Sequence, residues 1–439
     1  MKKIALLFVL LFSLQANAGR NHLASTLERD VAQYRLPNGM TWLLVRRASS
    51  PVFFGIVQLK AGGADEEDGK SGLAHMLEHM AFKGTREISH DELWDAFVIN
   101  GASNLNAYTT KDTTAYHASM PSSKLPLWLY LTSEMVKHSL LRDFDKERNV
   151  VLEELVGKME NNPFRMLDAK VLETAFKASP YKLPTIGKKG DVLNLKPEDL
   201  ENFKKKYYIP SLMIGAVVGD INIEETKGLI LEYFGQMPQR SLPDKKNPAE
   251  SKQNETRRAE VHFDASPIMM IAYHKPTLPA PDDYVFDLIT YMLCDGENSR
   301  LQKELVYKRK IARSVGCDSS TPGARLDNLF VILVEPLKGH SYKEIEDVVD
   351  SELTKFKSSE PDVHELNKVR NNGMKDFTFG LASNEGLATS LAYFQAIAGD
   401  WRYVIKHASI INDIKGDDIV NTAKKYFADE NKTIVTLDK

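Results

Sequence analysis

His75-Met76-Leu77-Glu78-His79 constrains this chain more than any other segment. A helix turns about 100° per residue, so positions i and i+4 share one face. The two imidazoles can therefore reach a single metal ion from one helical turn. Glu78 stands three residues after His75, on the flank of that face, where a carboxylate can hydrogen-bond a water without being a ligand itself. A solvated polar helix face could carry the same five letters, but the surroundings argue otherwise. Gly62, Gly63 and Gly72 precede the pentad, Gly84-Thr85 closes it, and Ser71 reads as the helix N-cap. Two histidines on the side of Leu73, Met76, Leu77 and Met80 would be costly to bury unpaired, and a shared metal removes that cost.

H-x-x-E-H is the inverted spacing found in a class of zinc hydrolases. The longer stretch Gly72-Leu-Ala-His-Met-Leu-Glu-His-Met-Ala-Phe-Lys-Gly-Thr85 resembles the active-site helix of the pitrilysin-type (M16) metallopeptidases, closest to the processing-peptidase-like (M16B) class. Asn106-Ala107-Tyr108-Thr109 resembles that family's edge strand beside the metal, and Glu147-Arg-Asn-Val-Val-Leu-Glu-Glu154 resembles its second motif. Later landmarks are Tyr181-Lys-Leu-Pro184, Tyr208-Ile-Pro210 and Val217-Val-Gly-Asp220, with a looser match over residues 260–439 through Ser299-Arg300-Leu301.

The resemblance implies that Glu154, 75 residues after His79, completes a trio of metal ligands with His75 and His79. It implies one Zn²⁺ per chain, with Glu147 as an outer carboxylate that orients a ligand. Periodicity places Glu147, Val150, Val151 and Glu154 on one helix face and turns Glu153 away from it, as a solvated acid. Read without the resemblance, Glu147 is equally a surface charge between Lys146 and Arg148. The implied reaction is peptide-bond hydrolysis, with Glu78 as the general base. Substrate would add as a strand against the edge carrying Asn106 and Ala107. The substrates implied are peptides or unfolded segments admitted to an enclosed chamber.

A chain of 439 residues that is 43% hydrophobic and 27% charged has the composition of a globular protein with two or more domains. A formal net charge of −3 gives no basis for nucleic-acid binding. Lys2-Lys3, the apolar run Ile4–Leu14 and Ala16-Asn17-Ala18 form a signal-peptide pattern, too short to span a bilayer. Cleavage is expected after Ala18, with no membrane span in the mature chain and export to the bacterial periplasm or beyond. The two cysteines, Cys294 and Cys317, flank a predicted helix over Asn298–Lys310. A disulfide and two buried thiols both fit that placement.

Leu36-Pro-Asn-Gly-Met40 reads as a turn into a strand over Thr41–Arg46, and Val52–Lys60 as the next strand. Strands and helices alternate with many antiparallel connections, which is an α+β pattern. Ser50-Pro51-Val52-Phe53 and Ser266-Pro267-Ile268-Met269 both open apolar strands, 216 residues apart. That offset sets His75-Met-Leu-Glu-His79 against Tyr291-Met-Leu-Cys-Asp295, which keeps the apolar pair and loses the chemistry. The expected organisation is a signal peptide at 1–18, a metal-binding domain at 19–240, a polar linker at 241–258 and a metal-free domain of the same fold at 259–439.

One departure from the family pattern bears on activity. The family's Arg and Tyr helper pair falls on Val306 and Arg313. The resemblance therefore implies a homodimer or a heterodimer in which a second chain of the same fold brings the missing pair. An alternative is a catalytically weak or inactive structural subunit of a heteromeric complex. The intact His75, Glu78, His79 and Glu154 argue against it, because a structural subunit gains nothing from a general base.

Overall fold

The computed structural model describes residues 27–244 and 248–439, so the expected signal peptide lies outside the described residues. Strands Val31–Arg35 (β1), Thr41–Arg46 (β2), Val52–Leu59 (β3), Ser103–Thr109 (β4), Thr114–Pro121 (β5) and Met213–Gly219 (β6) form one sheet, in the order β1-β2-β6-β3-β5-β4. Strands Arg257–His262 (β7), Ile268–Lys275 (β8), Ala312–Thr321 (β9), Asn328–Pro336 (β10) and Lys432–Asp438 (β11) form the second, in the order β7-β11-β8-β10-β9. The β2–β6 and β7–β11 pairs are parallel and the others antiparallel, so both sheets are mixed. Helices cover both, and the fold class is α+β.

The second sheet repeats the first without β1. Each has a parallel outer pair, a central antiparallel strand and a terminal hairpin in the same order. β3 and β8 are both eight residues long, and they begin at Val52 and Ile268, the spacing of the two Ser-Pro signals. Met76 and Leu77 of the first half and their offset partners Met292 and Leu293 are all at most 1% exposed. Packing was kept in both halves while the metal chemistry was not.

The central strands of each sheet are buried on both faces, which explains why they read as continuous apolar runs rather than alternations. Every residue of β6 is buried. One face of each sheet is covered by helices from its own half. The other face is covered reciprocally. The helix Asn384–Ile397, from the end of the chain, lays Leu387, Ala388 and Leu391 against Phe54, Ile56 and Ala216 of the first sheet. The helix Pro163–Ala175, from the first half, lays Leu167, Val171 and Leu172 against Met270, Ala272 and Val435 of the second. Fully burying one such leucine is worth about 1.5–3 kcal/mol. The expected boundary at 241–258 thus separates two sheets but not two self-sufficient packing units, and β7 already begins at Arg257.

Gly55 and Gly215 stand where two tryptophans pack against the first sheet. A Cβ at either would overlap the ring of Trp128 or Trp42. Those two rings meet edge to face, with centroids 6.4 Å apart, and anchor the core beneath the H-x-x-E-H helix. In the second half Cys294, at the end of the helix Pro281–Leu293, is disulfide-bonded to Cys317 of β9, with Cα atoms 5.6 Å apart. The bond settles what spacing left open. The intervening helix is shorter than expected, a π-helical stretch over Gln302–Lys308.

Candidate metal centre

The H-x-x-E-H segment lies on the helix Leu73–Ala81. Its N-terminus departs from the expected Ser71 cap. Gly72, at φ 91°, is the N-cap residue and has no side chain to offer. Glu66 does the capping, its carboxylate accepting the Gly72 and Ala74 N–H groups at 2.9 and 2.8 Å. Ser71 instead donates its hydroxyl to Asp191 at 2.5 Å and accepts the Lys188 N–H at 2.9 Å. This ties the helix start to the segment after Gly187.

Leu73, Met76, Leu77 and Met80 are buried and fix the roll of the helix, which turns His75 and His79 to one side. Their ring centroids are 4.7 Å apart. Glu154 reaches them from the helix Phe144–Leu155, its carboxylate 3.8 Å from His75 Nε2 and 3.3 Å from His79 Nε2. One ligand atom from each of His75, His79 and Glu154 lies within 4.8 Å of the others, the one such group among the described residues. Phe144, Glu147, Val151 and Leu155 form that helix's buried face, and Val150, 47% exposed, falls outside the face expected for it. Glu153 is exposed. Directly after Glu154 the helix widens into a π-helical turn over Val156–Glu160, a feature frequent at functional sites.

Glu147 is not a surface charge. It is 6% exposed and accepts from His79 Nδ1 at 2.9 Å, with Lys83 on its other oxygen. Glu78 Oε2 accepts the Thr109 hydroxyl at 2.6 Å. Asn106 and Ala107 lie on β4, the edge strand of the first sheet, where the Asn106 side-chain oxygen accepts the Ala107 N–H at 2.9 Å. The roles of Thr109, Lys83, Lys158 and Glu66 are not read from the sequence, although Thr109 and Lys83 fall inside its motifs. Lys158, 2.5 Å from Glu154 Oε1, stood at the visible i+4 position of a Glu–Lys pair. Glu66 left no local signal.

The electrostatics suit a cation. Burial, then the charge of His79, pulls the His75 imidazole down to about 4. Burial also pulls at His79, but hydrogen bonds to Glu147 and Glu154 outweigh it and raise that imidazole to about 9. The His79 hydrogen bond, followed by Lys158 and His75, holds the Glu154 carboxyl at about 2 against burial. Burial pushes Glu78 up, opposed by the Thr109 hydroxyl. The trio thus combines a carboxylate held ionised, an imidazole held neutral and an imidazole held protonated by its two carboxylate neighbours. His75 Nδ1 is buried without a hydrogen-bond partner. Two imidazole nitrogens and one carboxylate oxygen are a donor set that fits Zn²⁺ with one position open.

His75 and Glu154 open onto a cavity of about 700 Å³ between the halves, lined with Thr109 on their side and by Met270, Asp318 and Ser320 on the other. Arg313 is exposed on β9 and is not among its lining residues. The other described histidines join no metal-ligand group. His90 and His274 bond backbone carbonyls instead, those of Phe82 and Ala175. No described helix is long and apolar enough to cross a membrane.

Residues 49–189 match the family model described as insulinase (peptidase family M16), and residues 194–372 match the one described as the peptidase M16 inactive domain. The zinc protease PqqE of Helicobacter pylori is 30% identical over 389 residues, 87% of this chain and 86% of that protein. A probable mitochondrial-processing peptidase subunit beta of Arabidopsis thaliana is 29% identical over 222 residues, 50% of this chain and 41% of that one. Among solved structures, a protease from Helicobacter pylori superposes with a TM-score of 0.86 at 28% identity, covering 93% of this chain and 99% of that one. The periplasmic protease PqqL of Escherichia coli shares the fold, with a TM-score of 0.78 at 17% identity over 93% of this chain and 47% of that one.

Proposed function

The chain belongs to the M16 peptidase family, and we propose that it is a zinc-dependent endopeptidase acting on peptides or unfolded segments. The observation that carries this reading is the convergence of His75, His79 and Glu154 within 4.8 Å, with Glu78 on the same helix. Zinc bound there would lower the pKa of water to about 7 and polarise the scissile carbonyl. The chain's own residues do the rest. Glu78, held by Thr109, takes a proton from the attacking water and returns it to the leaving amine. Burial raises that carboxyl's proton affinity above that of an ordinary glutamate. Glu147 fixes the orientation of His79 from behind.

Substrate binds as an added strand along β4, displacing the Asn106 side chain from the Ala107 N–H. Main-chain pairing of this kind tolerates varied sequences. A cavity of about 700 Å³ takes an extended segment and excludes folded domains. The metal half ends near residue 240, and the metal-free half begins with β7 at Arg257. The family resemblance puts the helper pair on Val306 and Arg313, which cannot supply it, so full activity requires a second chain of this fold, in a homodimer or heterodimer. The signal-peptide pattern, the disulfide and the fold shared with a periplasmic protease support export to the bacterial periplasm.

The test uses the mature chain, residues 19–439. One zinc per chain by atomic spectroscopy, together with chelator-sensitive cleavage of an unstructured quenched peptide, is expected. Cleavage should rise when a second chain of this fold is added. Absence of zinc, or cleavage indifferent to chelator, overturns the reading. Full activity of the chain as a monomer overturns the partner requirement alone.

A further inference from the structure

We infer that Lys83 is a positioning residue for the metal, holding the Glu147 carboxylate so that His79 presents Nε2 to the ion. The inference rests on the proposed zinc site. Glu147 spends one oxygen on His79 Nδ1, at 2.9 Å, and the other on the Lys83 ammonium. Nδ1–H is thereby kept on the Glu147 side, which leaves Nε2, 3.3 Å from Glu154, as the atom that would give up its proton to bind the ion. The Glu147 side chain is 8% exposed, so water offers it little alternative. With Lys83 gone, the carboxylate would be free to rotate about its last bond and leave the imidazole.

The second half supplies an internal control. Arg300, which follows the helix Pro281–Leu293, grips Glu365 through Nε and Nη2 at 2.9 and 2.7 Å. Glu365 sits in the first turn of the helix Val363–Gly380, as Glu147 sits in the first turn of Phe144–Leu155. Lys83 lies just past the end of the helix Leu73–Ala81, and Arg300 opens the helical segment that leads into Gln302–Lys308. An ion pair to a glutamate in the first turn of a helix therefore occurs in both halves, and such pinning alone needs no metal. The difference lies in the cation. A guanidinium fork takes both oxygens of its glutamate, whereas a lysine point charge takes one and leaves the other for an imidazole. The half that carries the metal trio is the half with lysine.

The experiment compares the mature chain with Lys83→Met, Lys83→Arg and Arg300→Met. Zinc dissociation constants are read by competition with a chromophoric chelator, and thermal midpoints are read on the metal-free proteins. Lys83→Met and Arg300→Met should both lower the midpoint. Lys83→Met should weaken zinc about 10–100-fold while Arg300→Met leaves the affinity within about twofold. Lys83→Arg should keep the midpoint and still weaken zinc, because its fork competes with His79 for Glu147. If Lys83→Met does not fold, Lys83→Arg carries the test. Unchanged zinc affinity in the folded Lys83 variants overturns the inference, and a parent chain that binds no zinc overturns it together with the metal reading. Lys83-dependent zinc binding without peptide cleavage would sink the peptidase reading and leave this inference standing.

Discussion

Asp112 Oδ2 accepts the backbone N–H of Ala324 at 2.7 Å, which joins the β4–β5 turn of the first half to a loop of the second. The Tyr181 hydroxyl donates to the other Asp112 oxygen at 2.6 Å and itself accepts the Arg325 and Leu326 N–H groups, each at 3.1 Å. Arg325 reaches on to Asp65 at 2.8 Å. Asp112 is 4% exposed, so removing its carboxylate would strand buried donors from both halves. Asp112→Ala is expected to cost about 3–5 kcal/mol, the range for breaking a buried charged network from one side. Two interlocked halves need not unfold in one step, so the denaturant midpoint is the readout. An unchanged midpoint would mean the junction contributes nothing.

Glu78 separates metal binding from proton transfer. Gln at this position keeps the shape and can still accept the Thr109 hydroxyl, now 2.6 Å from Glu78 Oε2, but it cannot take up a proton. Glu78→Gln is expected to retain zinc by atomic spectroscopy and to lose about 10²–10⁴-fold in peptide turnover. Hydrolysis at the parent rate would dismiss Glu78 as the base.

How much of this was legible in the chain depended on whether the signal was local. The strand Thr41–Arg46 was readable to the residue, because a Pro-Asn-Gly turn and an apolar run bracket it. The fold class followed from the order of such elements. His75, Glu78 and His79 declared themselves by i, i+3, i+4 spacing, whereas Glu154 needed the family resemblance as well as its own helix periodicity. The helix cap was misassigned to Ser71 because the true cap, Glu66, comes from outside the local pattern and needs Gly72 at positive φ. Nothing local announced the exchange of helices between the sheets, since an amphipathic face says that it is buried and not against what. Val150 failed for the converse reason. It kept the period of its helix, but the packed face is centred nearer Val151 and Leu155.

The Cys294–Cys317 bond closes a loop with a sequence separation of 23 and ties the end of a core helix to an edge strand. Cross-links over loops of that length contribute about 3 kcal/mol, chiefly by restricting the unfolded chain. The double variant Cys294→Ala, Cys317→Ala is expected to unfold at lower denaturant while keeping zinc, because neither cysteine touches the metal trio. The parent should yield free thiols only after reduction. Free thiols in the native, unreduced chain would contradict the bond.

The exchanged helices carry a stronger expectation. β3 and β6 are buried on both faces, and one of those faces is closed by the helix Asn384–Ile397 from the far end of the chain. A chain ending at residue 240 would expose Phe54, Ile56, Ala216 and Val218 to water. It would also leave Pro163–Ala175 with its apolar face bare, because Met270, Ala272 and Val435 would be missing. Residues 19–240 expressed alone should therefore aggregate or bind a hydrophobic dye, and co-expression with 241–439 should restore a soluble, zinc-binding pair. The intact chain carries a milder version of the same test. Leu391 is fully buried against the first sheet, so Leu391→Ala should cost about 2–5 kcal/mol although it lies more than two hundred residues from the metal ligands in sequence. A soluble monomer of residues 19–240 with a cooperative unfolding transition would show that the first sheet does not need its borrowed helix.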